Sequence, residues 1–534
     1  MNPGLYHFDL MVIPKGTDVN NQEGRNCSTL VSAWRKESRK HRIFLMLAFC
    51  AGAALRVGYL LQPMRYDETY SYLYYGMRPL TDSLRILYTP NNHPLNTVLM
   101  KISTSVFGDA PWAIRLPALL AGLLVMPATY LAVRRLYGRN AAFLATALTA
   151  PSTLLVIYST NGRGYSLQVL LFILMVYFAA GALRSNSPGS WAGFTLCGIL
   201  GFYVIPTMLY FAGSVMAWVI LEVAFGDTAM RGAFLKRFAL SIALMAAAVF
   251  LLYLPIALGS GLSALVSNGF VRPLPFPAFI KGLPVNLRDI WYSWNIGIPL
   301  FFQVIMVTGF LASTILHRRV GKTRVGLVPV ATGFCLILLF LQRVNPFPRV
   351  WMPLLPMYFG ASAAGLCELG ATAGKALLKM GAGRLRVGMD TYYAAVFAVL
   401  LALSAFSVAM GYPYQTLDNG YPDLVTLRDA DKLMERLSGE LEPGDIIYTD
   451  PVTRVALEYQ MLRRGVPAGY LYANIQGESG ASQAEAKRAI LVTDRTGSTL
   501  VMVLNNSDLE LNSTYLPVDM FVLDYSRALQ VNNL

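Results

Sequence analysis

The chain has 534 residues, of which 55% are hydrophobic and 14% are charged, and its mean hydropathy is +0.47. Soluble domains carry roughly 25% charged residues, so this composition excludes a soluble globular protein, a disordered chain, a collagen and a disulfide scaffold. Residues 1–414 hold 34 Lys and Arg against 13 Asp and Glu, whereas residues 415–534 hold 10 against 17. A basic membrane part with an acidic tail is typical of membrane topology, and it argues against a nucleic-acid partner.

Eleven apolar runs follow a polar N-terminal tail over residues 1–33, which lacks periodicity and is predicted to be cytoplasmic and disordered. A membrane span needs about 20 mostly apolar residues. The predicted spans are 43–61, 114–133, 140–158, 164–183, 190–203, 205–225, 237–258, 297–316, 326–341, 350–370 and 391–411. The first run lies too deep in the chain for a cleavable signal peptide. We therefore expect a polytopic α-helical membrane domain over residues 34–411.

Basic clusters orient these spans, because Lys and Arg collect on the cytoplasmic side of a membrane. With a cytoplasmic N-terminus, that side receives the clusters at 35–42, 134–139, 231–237, 318–324 and 375–386. The shorter apolar run 95–107 is predicted to be an interfacial or re-entrant helix and is not counted as a span. This topology places two long loops, 62–113 and 259–296, outside the cytoplasm together with the acidic C-terminal part.

The first external loop contains "MRYDETYSYLYYGM", with two adjacent carboxylates, Asp67 and Glu68, just beyond the first span. A carboxylate in an apolar, aromatic recess can act as a general base toward a hydroxyl or amine. A solvated loop is the alternative, and the tyrosines equally suit an interfacial belt. Arg65 is a candidate partner for the carboxylate charge, and Arg65 and Tyr66 are candidate contacts for a sugar or an acceptor.

The same loop contains "TPNNHPLN", in which Pro94 opens a helix-like run directly after His93. A helix N-terminus binds anions through its unpaired N–H groups and its dipole. We therefore expect His93 to contact a phosphate or to act in proton transfer. No HxxxH or HxxE spacing surrounds it, and the five cysteines form no CxxC pair, so the sequence predicts no metal site.

Several arginines lie on the predicted external side, against the positive-inside preference. Arg163 sits between glycines in "YSTNGRGYS", and Arg349 follows the ninth span in "LQRVNPFPRVWMPLLP". Arginine suits phosphate because its planar guanidinium offers several donors, although a snorkelling anchor is the alternative. Two further phosphate candidates are Lys281 and Arg288. The candidate sugar or acceptor contacts are Tyr158, Tyr165, Trp291 and Tyr292.

Residues 412–534 have soluble character. The short β-rich runs "GDIIYTD", "AILVTD" and "TLVMVLNN" are bounded by Gly, Pro and Asp, and "TRVALEYQMLRRG" between them is helix-like. Strands alternating with helices favour a small α/β domain. We expect this domain to be extracytoplasmic.

Four segments in order carry a family resemblance: "YDETYSYLYYGM", "HPLNTVLMKISTSVFGDAPWAIRLPALLAGLL", "RRLYGRNAAFLATALTA" and "YSTNGRGYSL". Together they resemble the GT-C membrane glycosyltransferases, in the branch of the protein O-mannosyltransferases and the lipid A aminoarabinose transferase. The resemblance implies a GT-C-like fold and an inverting transfer from a polyprenyl-phosphate sugar. It also implies catalytic carboxylates, with Asp67 as the base and Glu68 supporting the loop and the acceptor.

The same resemblance places His93, Arg163 and Arg349 near the donor phosphate. Many relatives read Glu-Ala-Arg where this chain reads Asn161-Gly162-Arg163, so a second acid is missing there. A divalent metal ion as cofactor is left open.

The sequence thus predicts a glycosyltransferase in a bacterial or archaeal cytoplasmic membrane, with its active site facing outside. No P-loop or other nucleotide motif is present, so the donor sugar is expected to be carried by a lipid. The expected partners are a polyprenyl-phosphate-linked donor, a lipid, glycan or protein acceptor, and membrane lipids. Two other functions stay open, namely a flippase for a lipid-linked sugar and a non-catalytic envelope assembly protein.

Overall fold

The apolar runs of the sequence form helices that pack around a shared core. The computed structural model describes residues 37–85, 91–226, 231–261, 272–379, 389–411, 430–449, 451–471, 488–495 and 498–505. The helices of its first half are α1 (Arg39–Leu60), α2 (Tyr66–Ser71), α3 (Leu80–Arg85), α4 (Pro94–Phe107), α5 (Pro111–Leu136), α6 (Arg139–Thr149), α7 (Thr153–Ser159), α8 (Tyr165–Ser185), α9 (Pro188–Val204), α10 (Met208–Ala224) and α11 (Arg231–Ser260). They are followed by α12 (Phe276–Trp294), α13 (Leu300–Ile315), α14 (His317–Val320), α15 (Leu327–Gln342), α16 (Leu355–Lys379) and α17 (Met389–Phe406).

The apolar runs predicted to span the membrane are helical, which confirms this part of the prediction, but the run 140–158 is divided between the two helices α6 and α7. By length and composition, six helices in the described part of the chain can cross a membrane, or seven if the bent pair α6 and α7 counts as one span. The helices α10, α13 and α15 are apolar but shorter. The chain is therefore a multi-pass membrane protein, while the number of eleven spans stays a prediction.

Two of the predicted external loops contain short helices. The first loop holds α2, a π-helix (Tyr72–Gly76), α3 and α4. Pro94 is the first residue of α4, a position that proline favours because the missing N–H is not needed there. The second loop holds α12, which has 19 residues. The expected helix over 95–107 is thus present, and its place at the membrane surface stays a prediction.

A buried arginine supports the bend between α6 and α7, which meet at 65°. Arg56 of α1 is completely buried, and it donates to the carbonyl of Ala150 (3.0 Å) and to the hydroxyl of Ser159 (3.2 Å). The carbonyl of Ala150 lies at the break, where a helix leaves such groups without an internal partner. Gly122 of α5 makes the close approach possible, since a Cβ there would lie 2.0 Å from the Ser159 oxygen. These contacts fix α7, and with it the segment that follows.

The C-terminal part contains the strands and the helix that its sequence predicts. The strands β1 (Asp445–Thr449), β2 (Arg488–Arg495) and β3 (Ser498–Asn505) lie in the order β1-β2-β3, and α18 (Ala430–Glu440) and α19 (Pro451–Arg464) pack with them. The pair β1 and β2 is parallel, with Ile447 opposite Ile490, and β2 and β3 are antiparallel. The extent of a separate domain over 412–534 stays a prediction, and the predicted tail over 1–33 lies outside the described residues.

Helix α19 also packs against the first of the loops predicted to be external, residues 62–113, called the first loop below. Val455 and Tyr459 are buried in one cluster with Met64, Tyr72 and other residues of that loop. The Tyr459 hydroxyl donates to the carbonyl of Asp109 (2.8 Å). The C-terminal part therefore covers the loop that contains Asp67 and Glu68.

Candidate active site

Glu68 fixes the first loop to the helix bundle. Its carboxylate accepts two hydrogen bonds from Arg115 of α5 (2.5 and 2.9 Å) and one from the backbone N–H of Gly162 (2.6 Å). A fourth comes from the backbone N–H of Arg65, at the start of α2 (3.0 Å). Glu68 and Arg115 are both completely buried. This geometry favours a positioning role for Glu68, in line with the supporting role that the resemblance implies, over direct contact with a substrate.

Asp67 is the neighbour of Glu68 but has a different environment. Its side chain is 20% exposed, and it accepts a hydrogen bond from the Asn91 amide (3.0 Å). Its second oxygen lies 3.6 Å from an Arg349 guanidinium nitrogen and 3.9 Å from an Arg163 one. The Asp67 carboxylate is thus held between two guanidiniums and remains accessible. We call Asp67, Asn91, His93, Arg163 and Arg349 the Asp67 cluster.

Arg163 is buried in the segment that connects α7 and α8. Its guanidinium donates to the Ser71 hydroxyl (2.8 Å) and to the Asn91 carbonyl (3.0 Å). Within the part of the chain that the structure describes, its Nε has no hydrogen-bond partner. A buried donor without a partner is costly, so this nitrogen favours an acceptor such as an anionic oxygen.

His93 lies beside Arg163 and is held from the same segment. Its Nδ1 accepts a hydrogen bond from the backbone N–H of Gly164 (2.8 Å), so in the neutral ring Nε2 carries the proton. A Cβ at position 164 would lie 3.0 Å from that Nδ1, which makes glycine the suitable residue for this approach. Burial, together with the charges of Arg163 and Arg349, lowers the pKa of His93 well below its usual value. The ring is therefore neutral and presents an N–H donor beside the guanidinium of Arg163.

Arg349 enters the cluster from the short 3₁₀ helix Pro348–Leu354, which precedes α16. Its Nε donates to the hydroxyl of Tyr165 (2.8 Å), and its guanidinium lies 4.4 Å from the centre of the Phe347 ring. Tyr165 also packs edge-on against His93 and Tyr158, with ring centres 5.2 and 5.1 Å apart. These aromatic contacts fix the direction of the Arg349 side chain.

The Asp67 cluster combines two chemical abilities. Arg163, Arg349 and the His93 N–H are donors of the kind that bind a phosphate. The Asp67 carboxylate is a proton acceptor within the same few ångströms. This arrangement suits a reaction in which one substrate carries a phosphate and the other loses a proton.

Sequence and structure comparisons identify relatives of this chain. Residues 90–255 match the family of dolichyl-phosphate-mannose-protein mannosyltransferases. The fold is similar to that of ArnT from Cupriavidus metallidurans, solved in the apo state and bound to undecaprenyl phosphate, with a TM-score of 0.51, 12% identity and coverage of 89% of this chain and 98% of ArnT. The oligosaccharyltransferase AglB from Archaeoglobus fulgidus superposes with a TM-score of 0.48 and 14% identity, covering 89% of this chain and 75% of AglB. A comparison with the curated proteins gave no match.

The chain has the GT-C fold. Its match to the mannosyltransferase family confirms the predicted relationship to this glycosyltransferase superfamily. The relationship supports a transferase in general terms and leaves the substrates and the catalytic residues to be proposed. In this GT-C chain the matched region includes three members of the Asp67 cluster, Asn91, His93 and Arg163.

The remaining predicted site residues divide into two groups. Arg65 and Tyr158 are buried behind the cluster, where Arg65 donates to the Gln62 side chain (3.0 Å), and Tyr66 is half-buried at its edge. The second group lies on α12 and consists of Lys281, Arg288, Trp291 and Tyr292. Arg288 pairs with its neighbour Asp289 (2.9 Å), and the ring of Trp291 packs edge-on against Tyr358. The assignment of these four residues to the site stays a prediction.

Three residues of the site were not selected from the sequence. Asn91 and Ser71 lie in the two motifs of the first loop, but nothing in their spacing marks them. Arg115 lies at the start of the second predicted span, 114–133, where an isolated arginine resembles a snorkelling anchor. Its full burial identifies it as the partner of a buried carboxylate instead.

The residues present do not fit a divalent metal ion. The described part of the chain contains no group of three or more His, Cys, Asp or Glu side chains that could hold one. The Asp67 carboxylate already faces two guanidiniums, and both oxygens of Glu68 are hydrogen-bonded. We therefore assign no step to a metal.

Proposed function

We propose that the protein transfers a sugar from a polyprenyl-phosphate donor to an acceptor at the outer face of a bacterial or archaeal cytoplasmic membrane. The observation that carries the proposal is the position of the Asp67 carboxylate, accessible and within 4 Å of both Arg163 and Arg349. The relationship to lipid-linked sugar transferases supports it, as does the binding of undecaprenyl phosphate by ArnT, which shares the fold.

In the proposed reaction, Asp67 accepts the proton of the acceptor hydroxyl or amine. The acceptor atom attacks the anomeric carbon and forms the new glycosidic bond, while the bond from that carbon to the phosphate oxygen breaks. The polyprenyl phosphate leaves with the electron pair, and the sugar configuration inverts. Arg163, Arg349 and the His93 N–H stabilise the charge that develops on the phosphate.

The proposal is tested with membranes that contain the full chain and polyprenyl phosphates loaded with radiolabelled sugars. Asp67→Asn keeps the shape of the side chain and removes the base, so transfer is expected to fall by about 10²–10⁴-fold. Asp289→Asn is the matched control. It changes a carboxylate on α12 that pairs with Arg288, and it is expected to retain activity.

Undiminished transfer by a folded Asp67→Asn variant would contradict the assignment of the base. Movement of the labelled lipid across the membrane without a new glycosidic bond would instead identify a flippase. Normal envelope assembly with Asp67→Asn, together with its loss on deletion of residues 415–534, would indicate a non-catalytic assembly protein.

A further inference from the structure

Three tyrosines form a continuous aromatic ladder that begins next to Asp67. Tyr66, Tyr70 and Tyr74 follow one another at intervals of four residues along α2 and the adjoining π-helix, so they lie on the same side. The ring centres of Tyr66 and Tyr70 are 5.9 Å apart, and those of Tyr70 and Tyr74 are 4.0 Å apart in a stacked arrangement. Tyr70 is buried, while Tyr66 and Tyr74 are half-buried. The ladder therefore presents aromatic surface at both of its ends.

The ladder is bordered by helix α19 of the C-terminal part. Val455 and Tyr459 pack into the cluster that includes Tyr70 and Tyr72, and the rings of Tyr72 and Tyr459 meet edge-on with centres 6.0 Å apart. Arg454, one residue before Val455, is half-buried. Val455 is buried in the cluster against which Tyr66 and Tyr74 pack, so its neighbour Arg454 lies at the border of the ladder. The border of the ladder thus includes a guanidinium from a part of the chain almost 400 residues away.

From this geometry we infer that the tyrosine ladder and Arg454 form the acceptor subsite, and that the acceptor presents a saccharide ring. The inference rests on the proposed function, because only a transferase has an acceptor. A saccharide ring offers C–H groups to an aromatic face and hydroxyls to a guanidinium. Tyrosine supplies rigid contact area at a low entropic cost, and Arg454 supplies several donors. Tyr66, at one end of the ladder, is the residue before Asp67.

The same arrangement gives the C-terminal part a role in choosing the acceptor. Its helix α19 is attached to the first loop through Tyr459, and it packs Val455, the neighbour of Arg454, into the cluster that borders the ladder. An acceptor site formed by the first loop alone would need no contact with the C-terminal part. We therefore expect acceptor binding to depend on residues of both segments, whereas donor binding depends on the Asp67 cluster.

The inference is tested by saturation-transfer NMR on the detergent-solubilised full chain without any donor. The probes are methyl glucoside, methyl mannoside and methyl galactoside, and a short serine-containing peptide amide is the comparison. The ring protons of at least one glycoside are expected to receive saturation. The signal is expected to fall about two- to tenfold in Tyr74→Leu, as expected for a lost aromatic contact, and to fall in Arg454→Gln. Tyr292→Leu on α12 is the control and is expected to leave the signal unchanged.

Several results would overturn the inference. They are the absence of a glycoside signal in the wild type, equal signals in the wild type and both variants, and an equal loss in Tyr292→Leu. Saturation of the peptide alone, lost in Tyr74→Leu, would replace the saccharide with a protein acceptor. Arg454→Gln keeps the test valid if Tyr74→Leu does not fold. Because no donor is present, glycoside binding without any sugar transfer in the radiolabel assay would reject the proposed function separately.

Discussion

The two ends of helix α1 carry charged clusters of similar composition and different construction. Before its first turn, the Glu37 side chain is 1% exposed and contacts Arg134 of α5 and the hydroxyl of Tyr130, each at 2.8 Å. His41 completes this Glu37 cluster and is buried between the hydroxyls of Tyr130 (2.9 Å) and Tyr393 (3.1 Å). Beyond its last turn, the Asp67 cluster has longer charge contacts, of 3.6 and 3.9 Å, and a carboxylate that is 20% exposed.

The comparison indicates which cluster binds a ligand. In the Glu37 cluster the short contacts join α1, α5 and α17, so its charges are used within the protein. In the Asp67 cluster the arginines are held by Ser71, Asn91 and Tyr165, and the space around the carboxylate is not closed. Residue type alone does not separate the two functions, whereas the exposure of the carboxylate does, at 1% for Glu37 and 20% for Asp67.

The largest effect is expected at the pair of Glu68 and Arg115. This pair lies beside the Asp67 cluster, but its carboxylate is buried, as that of Glu37 is. Arg115→Met leaves Glu68 buried without its charged partner, which is expected to lower the free energy of unfolding by about 3–5 kcal/mol. Thermal unfolding in detergent measures this loss. The double variant Arg115→Met with Glu68→Gln is expected to lose less than the two single variants together. Equal stability of Arg115→Met and the wild type would contradict the conclusion that this buried ion pair stabilises the fold.

A smaller loss is expected at the Glu37 cluster. Glu37→Gln removes the charge that faces Arg134 and Arg139, and the free energy of unfolding is expected to fall by about 1–3 kcal/mol. The KM values for sugar transfer are expected to stay the same, because the cluster lies a full helix length from Asp67. A changed donor KM with unchanged stability would contradict this assignment, because it would mean that the Glu37 cluster takes part in donor binding and does not stabilise the fold.

The smallest effect concerns the pH dependence of stability. His93 has a lowered pKa in the folded chain, mainly through burial, while the unfolded chain protonates histidine near pH 6.5. Below that pH the unfolded state binds more protons, so His93 makes stability fall as the pH drops from 7 to 5. The fall in melting temperature over this interval is expected to be smaller in His93→Gln than in the wild type. His317→Gln serves as the control, and an identical fall in His93→Gln and the wild type would contradict the neutral state of the ring.

The sequence predicts the helices well and the site in part. Apolar length and proline positions locate the helices, because lipid and a buried core both require continuous apolar runs. The family motifs and the predicted topology, which places Asp67, His93 and Arg163 on the same side of the membrane, together predict that these three residues lie close to one another. Arg115 is not predictable in this way, because only packing reveals that an arginine in an apolar run meets a carboxylate 47 residues earlier. For Lys281 and Arg288 the phosphate-binding role stays a prediction, since a basic residue in a predicted external loop does not reveal where its helix is directed.

The central claim is that Arg163 and Arg349 of the Asp67 cluster hold the donor phosphate. The most direct measurement is the affinity of the purified full chain for undecaprenyl phosphate in detergent. The double variant Arg163→Gln with Arg349→Gln is compared with Lys281→Gln and Arg288→Gln, which removes the same charge from α12. We expect the first double variant to bind at least about tenfold more weakly, since it loses charged hydrogen bonds, and the second to bind like the wild type. Unchanged affinity in the first variant, or an equal loss in the second, would contradict the claim.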